Sequence, residues 1–441
     1  MSEPRLPEKL GDICYIKARI GWRGLSSTEY TEDGPYLIAG QHIRNGRIAW
    51  DKCDHISERR YLESHEIILR SGDVIITKDG TIGRVARVDE LPGDATINGT
   101  MMLIRPLRRL DYRYLYHVLN GRGFQKLIDD KVSGSSIPHL FQRDMVELKV
   151  DLPTPSQQSK IAEVLDTLDA AIRGTEAVVA KLKAMKQGLL HDLLTRGIDA
   201  NGDLRPPHTE APHLYKETPL GWLPKDWEVS EIQDMLASVD PAMRSGPFGS
   251  ALLKDELVEE GVPFLGIDNV FVERFDRNFK RFVTPGKFLQ LQRYAVRPDD
   301  LIITIMGTVG RCCLVPLDVD RALSSKHTWT ISLDQAKYSP YLAMLQVNYS
   351  DWVLRHFSKD QQGGTMSAIR SETIRSTLLP VPPRDEQEAI AVILLELSRR
   401  LREEQTSFEK LRLQKSGLMD DLLTGRVPVT PLLEGEAAHG A

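Results

Sequence analysis

Two short stretches in this 441-residue chain could do chemistry on an anion: GTIGR (Gly80–Arg84) and GTVGR (Gly307–Arg311). In each, glycines let the backbone turn tightly between two apolar runs. A hydroxyl and a guanidinium then sit close together, the equipment for gripping a phosphate without reading any sequence. The expected contacts are Thr81, Arg84, Thr308 and Arg311, with Lys78 assisting in the first copy only. A plain hairpin between two strands explains the glycines equally well.

Further candidates flank these turns. The loops SGSSIPHL (Ser133–Leu140) and GGTMSAIR (Gly363–Arg370) offer the small hydroxyls of Ser135, Ser136 and Thr365, unless they are simple connectors. His139, Arg143, Arg370 and Arg375 lie in or just after them, although any one alone reads as a solvated surface residue. Were the ligand a nucleic acid, base reading would fall to residues that differ between the two halves of the chain, because different base patterns need different donors and acceptors. Gln41, His42 and Arg44 are set against Asn269, with Lys326 and His327 beside them. Gln or Asn suits adenine and Arg suits guanine. Trp222 and Trp227 read as packing anchors rather than stacking platforms.

The elements that must position these residues are themselves duplicated. PYLIAGQHI (Pro35–Ile43) answers PFLGIDNVF (Pro263–Phe271), and GDVIITKDGTIGRVARV (Gly72–Val88) answers DDLIITIMGTVGRCCLV (Asp299–Val315). INGTMMLIRP (Ile97–Pro106) answers SSKHTWTISL (Ser324–Leu333), and a Tyr-Leu helix start recurs at Tyr114 and Tyr341. Short β-branched runs between glycine turns predict irregular, mostly antiparallel β domains with a few helices. The expected boundaries are a first β-rich domain over 1–152, a long helix over 153–196 and a linker over 197–217. A second β-rich domain over 218–381, a second long helix over 382–427 and a loose tail over 428–441 follow.

Both long helices carry a heptad seam. In the first, Ile161, Leu165, Leu168, Ile172, Val179, Leu182, Leu189 and Leu193 alternate in four- and three-residue steps, with Thr175 and Lys186 filling the gaps. In the second, Ile390, Leu394, Leu397, Leu401, Phe408, Leu411, Leu418 and Leu422 do the same around Glu404 and Lys415. A helix this long reaches roughly 60 Å, and its stripe needs a partner. A parallel pair would set Lys186 against Lys415; an antiparallel pair brings Lys186 towards Glu404, so antiparallel pairing is favoured. The resulting fold class is α+β: two β-rich domains in tandem, each followed by a long helix. The helices pair as an antiparallel coiled coil with pseudo-twofold symmetry. Such a strut suits a reader of two half-sites on DNA, whose grooves repeat every ~34–36 Å.

Composition sets limits. The net charge of −5 argues mildly against nucleic-acid binding, although a local basic face can coexist with it. No apolar run approaches the roughly 20 residues of a membrane span, and the first residues have no signal-peptide core. Four cysteines at 14, 53, 312 and 313 show neither zinc spacing nor a disulfide framework. A cytoplasmic protein with structural thiols and no membrane partner is expected.

The repeat, the opening PLGWLPKDWEV (Pro219–Val229) and the helix starts PTPSQQSKIA (Pro153–Ala162) and PPRDEQEAIA (Pro382–Ala391) resemble the specificity subunit of type I restriction–modification systems. The resemblance covers nearly the whole chain. Gln157-Gln158 departs from the Glu-Gln pair usual at that helix start. The resemblance implies two target recognition domains that read the halves of a bipartite asymmetric DNA site. It implies helices that act as a ruler and as a platform for two methyltransferase subunits. Those subunits would bind S-adenosylmethionine and methylate adenine after flipping it out of the duplex. Restriction and translocase subunits would bring ATP and Mg.

No cofactor, metal or catalytic residue is expected in this chain. It has no phosphate-loop lysine motif, no G-x-S-x-G elbow and no H-E-x-x-H pair. Neither RPPH (Arg205–His208) nor VPPR (Val381–Arg384) is an amino-methyltransferase signature. Two other readings stay open: a coiled-coil adaptor carrying two protein-binding β domains, or the specificity subunit of a fused restriction–methylation enzyme.

Overall fold

A computed structural model describes residues 7–18, 27–133, 138–319, 321–361 and 368–433. Two compact units emerge, Met1–Ala177 with Gln405–Ala441 and Val178–Glu404, so each takes part of both long helices.

The first unit is built on a four-stranded antiparallel sheet. Its strands are β1 (Cys14–Ala18), β2 (Val74–Thr77), β3 (Val85–Arg87) and β4 (Met101–Pro106), in the order β1-β4-β2-β3. The second unit repeats this with β5 (Met243–Ser245), β6 (Leu301–Thr304), β7 (Cys312–Leu314) and β8 (Thr328–Ile331), in the order β5-β8-β6-β7. The runs VIIT and LIIT are apolar at nearly every position because both faces of these central strands are covered. Val74 and Ile76 join the core that holds Tyr114 and Leu115, whereas Ile75 joins a second core with Ile38 and Ile97. Leu301 and Ile303 face Leu342, and Ile302 faces Leu265 and Val270. Truncating such a residue to alanine typically costs about 2–5 kcal/mol.

Four helices matter for function: α1 (Tyr112–Val118), α2 (Pro155–Thr195), α3 (Pro340–Tyr349) and α4 (Arg384–Leu423). Every heptad position named above is buried or half-buried. In the first unit, Ile161, Ala162 and Leu165 at the start of α2 share a core with Leu418, Met419 and Leu422 at the end of α4. In the second unit, Leu190, Leu193 and Leu194 at the end of α2 share a core with Ile390 and Leu394 at the start of α4. Each unit by itself therefore contains an antiparallel helix pair. Mid-seam residues such as Ile172, Leu401 and Phe408 remain half-buried, as in a two-stranded seam.

The seam lysines depart from expectation. Lys186 does not take its carboxylate from Glu404 but from Glu273, 2.6 Å away at the tip of a hairpin packed beside α2. Lys415 pairs with Asp169 at 2.6 Å. A half-buried ammonium takes whichever carboxylate its own unit brings nearest. The segment 197–217 is likewise tied down: Arg205 bonds Glu386, and Tyr215–Thr218 forms a strand paired with Gly221–Pro224. The tail is not loose throughout. Val429 is 1% exposed in the first unit's core, because an apolar residue is available there to cover it.

Candidate nucleic-acid interface

The glycine turns are hairpin connections, β2 to β3 and β6 to β7, and each is locked by a threonine that precedes the motif. Thr77 Oγ1 donates to the Thr81 carbonyl at 2.5 Å and accepts from the Arg84 N–H at 2.9 Å. Thr304 repeats both bonds, to the Thr308 carbonyl and from the Arg311 N–H at 3.1 Å. Gly80, Gly83, Gly307 and Gly310 all have φ between 72° and 87°, a region that side chains disfavour. The turns thus have the same backbone, but they present different surfaces. Thr81 and Arg84 are exposed, and Arg84 Nη1 donates to the Gly40 carbonyl at 3.4 Å. Arg311 is half-buried with its guanidinium 5.6 Å from the Phe271 ring centre. Thr308, expected to be presented, has its hydroxyl buried with no partner among the described residues. Lys78 is only 8% exposed and pairs with Asp79 at 2.7 Å, so it lies behind the turn rather than in front of it.

Other candidates gather at the same end of each sheet. In the first unit, Leu140 N–H reaches the Lys78 carbonyl at 2.9 Å and Lys78 N–H reaches the Thr100 carbonyl at 2.8 Å. His139 is held by Asp79 and packs on Phe141 at 4.3 Å, with the Arg143 guanidinium 4.8 Å from the centre of that ring. In the second unit, Ile305 N–H reaches the His327 carbonyl at 3.0 Å, and Trp329 Nε1 reaches the carbonyl of Ile369 at 3.3 Å, next to exposed Arg370. Arg375 ends the short helix Ser371–Arg375 and is half-buried. Ser135, Ser136 and Thr365 lie outside the described residues. Burial lowers the His327 imidazole below its ordinary pKa, and the neighbouring Lys326 and Arg281 lower it further.

The base-reading candidates divide sharply. Gln41, Arg44 and Lys326 are exposed. His42 and Asn269 are 2% and 1% exposed and close equivalent turns, Gly40–His42 and Ile267–Asn269. His42 Nδ1 accepts the Ala39 N–H at 3.0 Å, and Asn269 Oδ1 accepts the Gly266 N–H at 2.9 Å. Asn269 Nδ2 is also used, on the Asp276 carbonyl at 3.0 Å. Burial keeps His42 below its ordinary pKa, with Asp54 opposing. Both side chains are committed to their own turns, correcting the expectation that they face a groove.

No residue pattern announces the hydrogen bonds that set the long helices on their domains. Gln158 and Gln387 are 0% and 1% exposed. Glu386, next to Gln387, accepts from Ile198 N–H at 2.8 Å, Trp227 Nε1 at 2.9 Å and Arg205 Nη2 at 3.0 Å. Trp227 is thereby a buried anchor, whereas Trp222 is 49% exposed and stacks on His208 at 4.1 Å. The side chain of Gln157, which replaces the glutamate in the first copy, bonds its own turn at Thr154, 3.2 Å away, and nothing else among the described residues. The one cluster with metal-ligand chemistry among the described residues is His117, Asp166 and Asp169. Arg87 at 2.6 Å from Asp166 and Lys415 at 2.6 Å from Asp169 already neutralise its carboxylates, which makes it an ion-pair network. Cys14, Cys312 and Cys313 are buried free thiols and Cys53 is a half-buried one; burial pushes Cys14, Cys53 and Cys313 up to about 12. No helix among the described residues is long and apolar enough to cross a membrane.

Comparison with known proteins fits this geometry. The family model for the type I restriction modification DNA specificity domain matches twice, over residues 7–184 and 224–411. The chain is 23% identical over 451 residues to the type I restriction enzyme MjaVIII specificity subunit of Methanocaldococcus jannaschii, covering 97% of this chain and 95% of that protein. It is 26% identical over 213 residues to the EcoBI specificity subunit of Escherichia coli, covering 47% and 42%. The fold is similar to the crystal structure of a type I restriction-modification system S subunit from M. genitalium, with a TM-score of 0.60 at 14% identity over 95% of this chain and 96% of that one. The chain belongs to the type I restriction–modification DNA specificity family and is the non-catalytic subunit that supplies DNA sequence specificity to such a complex.

Proposed function

We propose that each four-stranded sheet, with the turn at its end, reads one half of a bipartite asymmetric DNA site, and that α2 and α4 hold the halves at a set spacing. The observation that carries this reading is the duplication at the sheet ends. The same locked turn is built once in each unit and a short helix follows in each, Gln142–Glu147 and Ser371–Arg375, while the exposed side chains differ. Shared backbone with different surface residues is the arrangement expected of two readers with different letters. Arg84 and Thr81 serve as phosphate contacts in the first unit and Arg311 in the second, with Gln41, Arg44 and Lys326 left to meet base edges. Arg143 and Arg370 border these surfaces.

On this reading the helices also dock two methyltransferase subunits. S-adenosylmethionine belongs to those subunits, and ATP and Mg belong to the restriction and translocase subunits. The target adenine leaves the stack to be methylated. The complex works in the cytoplasm, on duplex DNA.

The test is to co-express the chain with its methyltransferase subunits in a methylation-free host and sequence the modified adenines. A motif of two defined halves separated by a fixed run of undefined bases is expected. A single uninterrupted motif, or no motif, overturns the reading and favours an adaptor. In binding assays Arg84→Ala is expected to reduce the slope of log affinity against log salt by about 0.9, the share of one phosphate contact on duplex DNA.

A further inference from the structure

We propose that Gln158 and Gln387 are positioning residues that fix the angle at which each long helix leaves its recognition domain, and through it the spacing the complex accepts. The inference rests on the two-half-site reading above. Gln158 Nε2 donates to the Pro153 carbonyl at 2.8 Å and the Arg109 carbonyl at 3.0 Å, while its Oε1 accepts the Asp111 N–H at 2.8 Å. Gln387 Nε2 donates to the Pro382 carbonyl at 2.9 Å and the Lys337 carbonyl at 3.2 Å, and its Oε1 accepts the Ser339 N–H at 2.9 Å. The same atoms play the same roles twice. Asp111 and Ser339 are the N-caps of α1 and α3, so each amide ties the first turn of a long helix to the start of a helix lying on the domain's sheet.

The chemistry demands an amide. Both N–H groups meet carbonyls and the oxygen meets an N–H, so a glutamate would turn a carboxylate towards two acceptors. A methionine of similar length would leave all three backbone groups unanswered. Burial makes the connection stiff, because no water competes for these bonds. Leverage gives it consequence. A change of about 5° at the start of a helix roughly 60 Å long moves its far end by about 5 Å, more than the ~3.4 Å between successive bases along a DNA strand. The neighbouring Gln157 and Glu386 make different bonds in the two copies, so only the second residue of the pair is the shared device.

The experiment expresses the full chain, as wild type, Gln387→Met or Gln158→Met, with its methyltransferase subunits and sequences the modified adenines. Each variant is expected to keep the letters of both half-sites. Sites with a gap one base pair shorter or longer should rise about fivefold relative to the wild-type gap, the factor that one lost net hydrogen bond amounts to. An unchanged gap distribution, or changed letters with an unchanged gap, overturns the inference, as does failure of both variants to assemble, which would make the amides supports of stability alone. A wild-type complex without a two-part motif would instead remove the reading on which the inference rests.

Discussion

The two units solve one electrostatic problem in different ways. Asp73 and Asp300 occupy equivalent places ahead of β2 and β6, and each accepts the N–H of the residue three before it, Arg70 at 2.7 Å and Arg297 at 2.6 Å. Both carboxylates are buried, at 1% and 2% exposure. In the first unit the cation comes from β4, where Arg105 lies 2.7 Å away with its side chain 21% exposed. In the second, the matching position just after β8 is taken by Ser332, whose hydroxyl donates at 2.5 Å, and the cation is Arg244 on β5, 3% exposed. The carboxylate is fixed by the turn it closes; its partner can come from elsewhere in the sheet.

The largest expected effect separates these arrangements. Burial drives Asp300 above the usual carboxylate range despite Arg244, and burial lowers Arg244 as well. Arg244→Met strands a carboxylate that no water reaches, and is expected to destabilise the second unit by about 3–5 kcal/mol. Arg105→Met leaves Asp73 beside a gap that water can enter, and should cost roughly half as much. Urea denaturation with hydrogen exchange resolved by unit measures both. Equal losses would erase the distinction drawn between a fully enclosed pair and a partly open one.

The locking threonines make the opposite prediction, sameness. Thr77→Val and Thr304→Val keep the shape and remove one donated and one accepted bond, at a cost of about 1–3 kcal/mol each. The two losses should agree within about 0.5 kcal/mol and add in the double variant, since the sites lie in separate units. A large asymmetry would mean that the turns, alike in backbone, are not one device.

These contrasts show why some of the structure was readable from sequence and some was not. The seam from Ile161 to Leu193 and its copy from Ile390 to Leu422 were legible because burial of a stripe on a helix leaves a period. The sheets were legible because Ile75 and Ile302 sit in apolar runs ended by glycines. Asp300 and Arg244 gave no signal, because a charge in a sequence looks the same whether it is solvated or enclosed. Thr77 and Thr304 carry no mark in the sequence because they stand three residues before the first glycine of the repeated turn. The inward turn of His42 and Asn269 is invisible in the sequence because a polar residue in a turn carries no mark of which way it points.

That last ambiguity yields a smaller prediction. Asn269 already closes in the second unit the turn that His42 closes in the first, so His42→Asn should keep the Ala39 bond. The lost ring volume in a site 2% exposed is expected to cost about 1 kcal/mol. The methylated motif should not change. A changed letter in one half-site would put His42 back among the base readers.

The smallest effect concerns acid. His117 is fully buried on α1, with Nε2 2.9 Å from Asp166 and Nδ1 unpartnered among the described residues; α3 carries no histidine. Burial lowers its pKa first, and Lys415 adds to this; Asp166 and Asp169 oppose but do not prevail. A histidine held neutral in the fold takes up a proton more readily when unfolded. Its contribution is therefore complete above the unfolded value of about 6.5 and is lost as pH falls below that towards the depressed folded value, at no more than about 1.4 kcal/mol per pH unit. Asp166 is itself held below its ordinary value, chiefly by the His117 bond and Arg87 acting against its burial, so its loss begins only in stronger acid. His42 has the same sign as His117 and sits in the same unit, so the first unit carries two such histidines against His327 in the second, which is less buried than His117. Between pH 6.5 and 5 the first unit should therefore lose hydrogen-exchange protection before the second, by about 1 kcal/mol. His117→Gln, which cannot titrate, should remove part of that fall and leave the share belonging to His42. Equal loss in both units, or an unchanged fall in the variant, would show that the proton is going somewhere else.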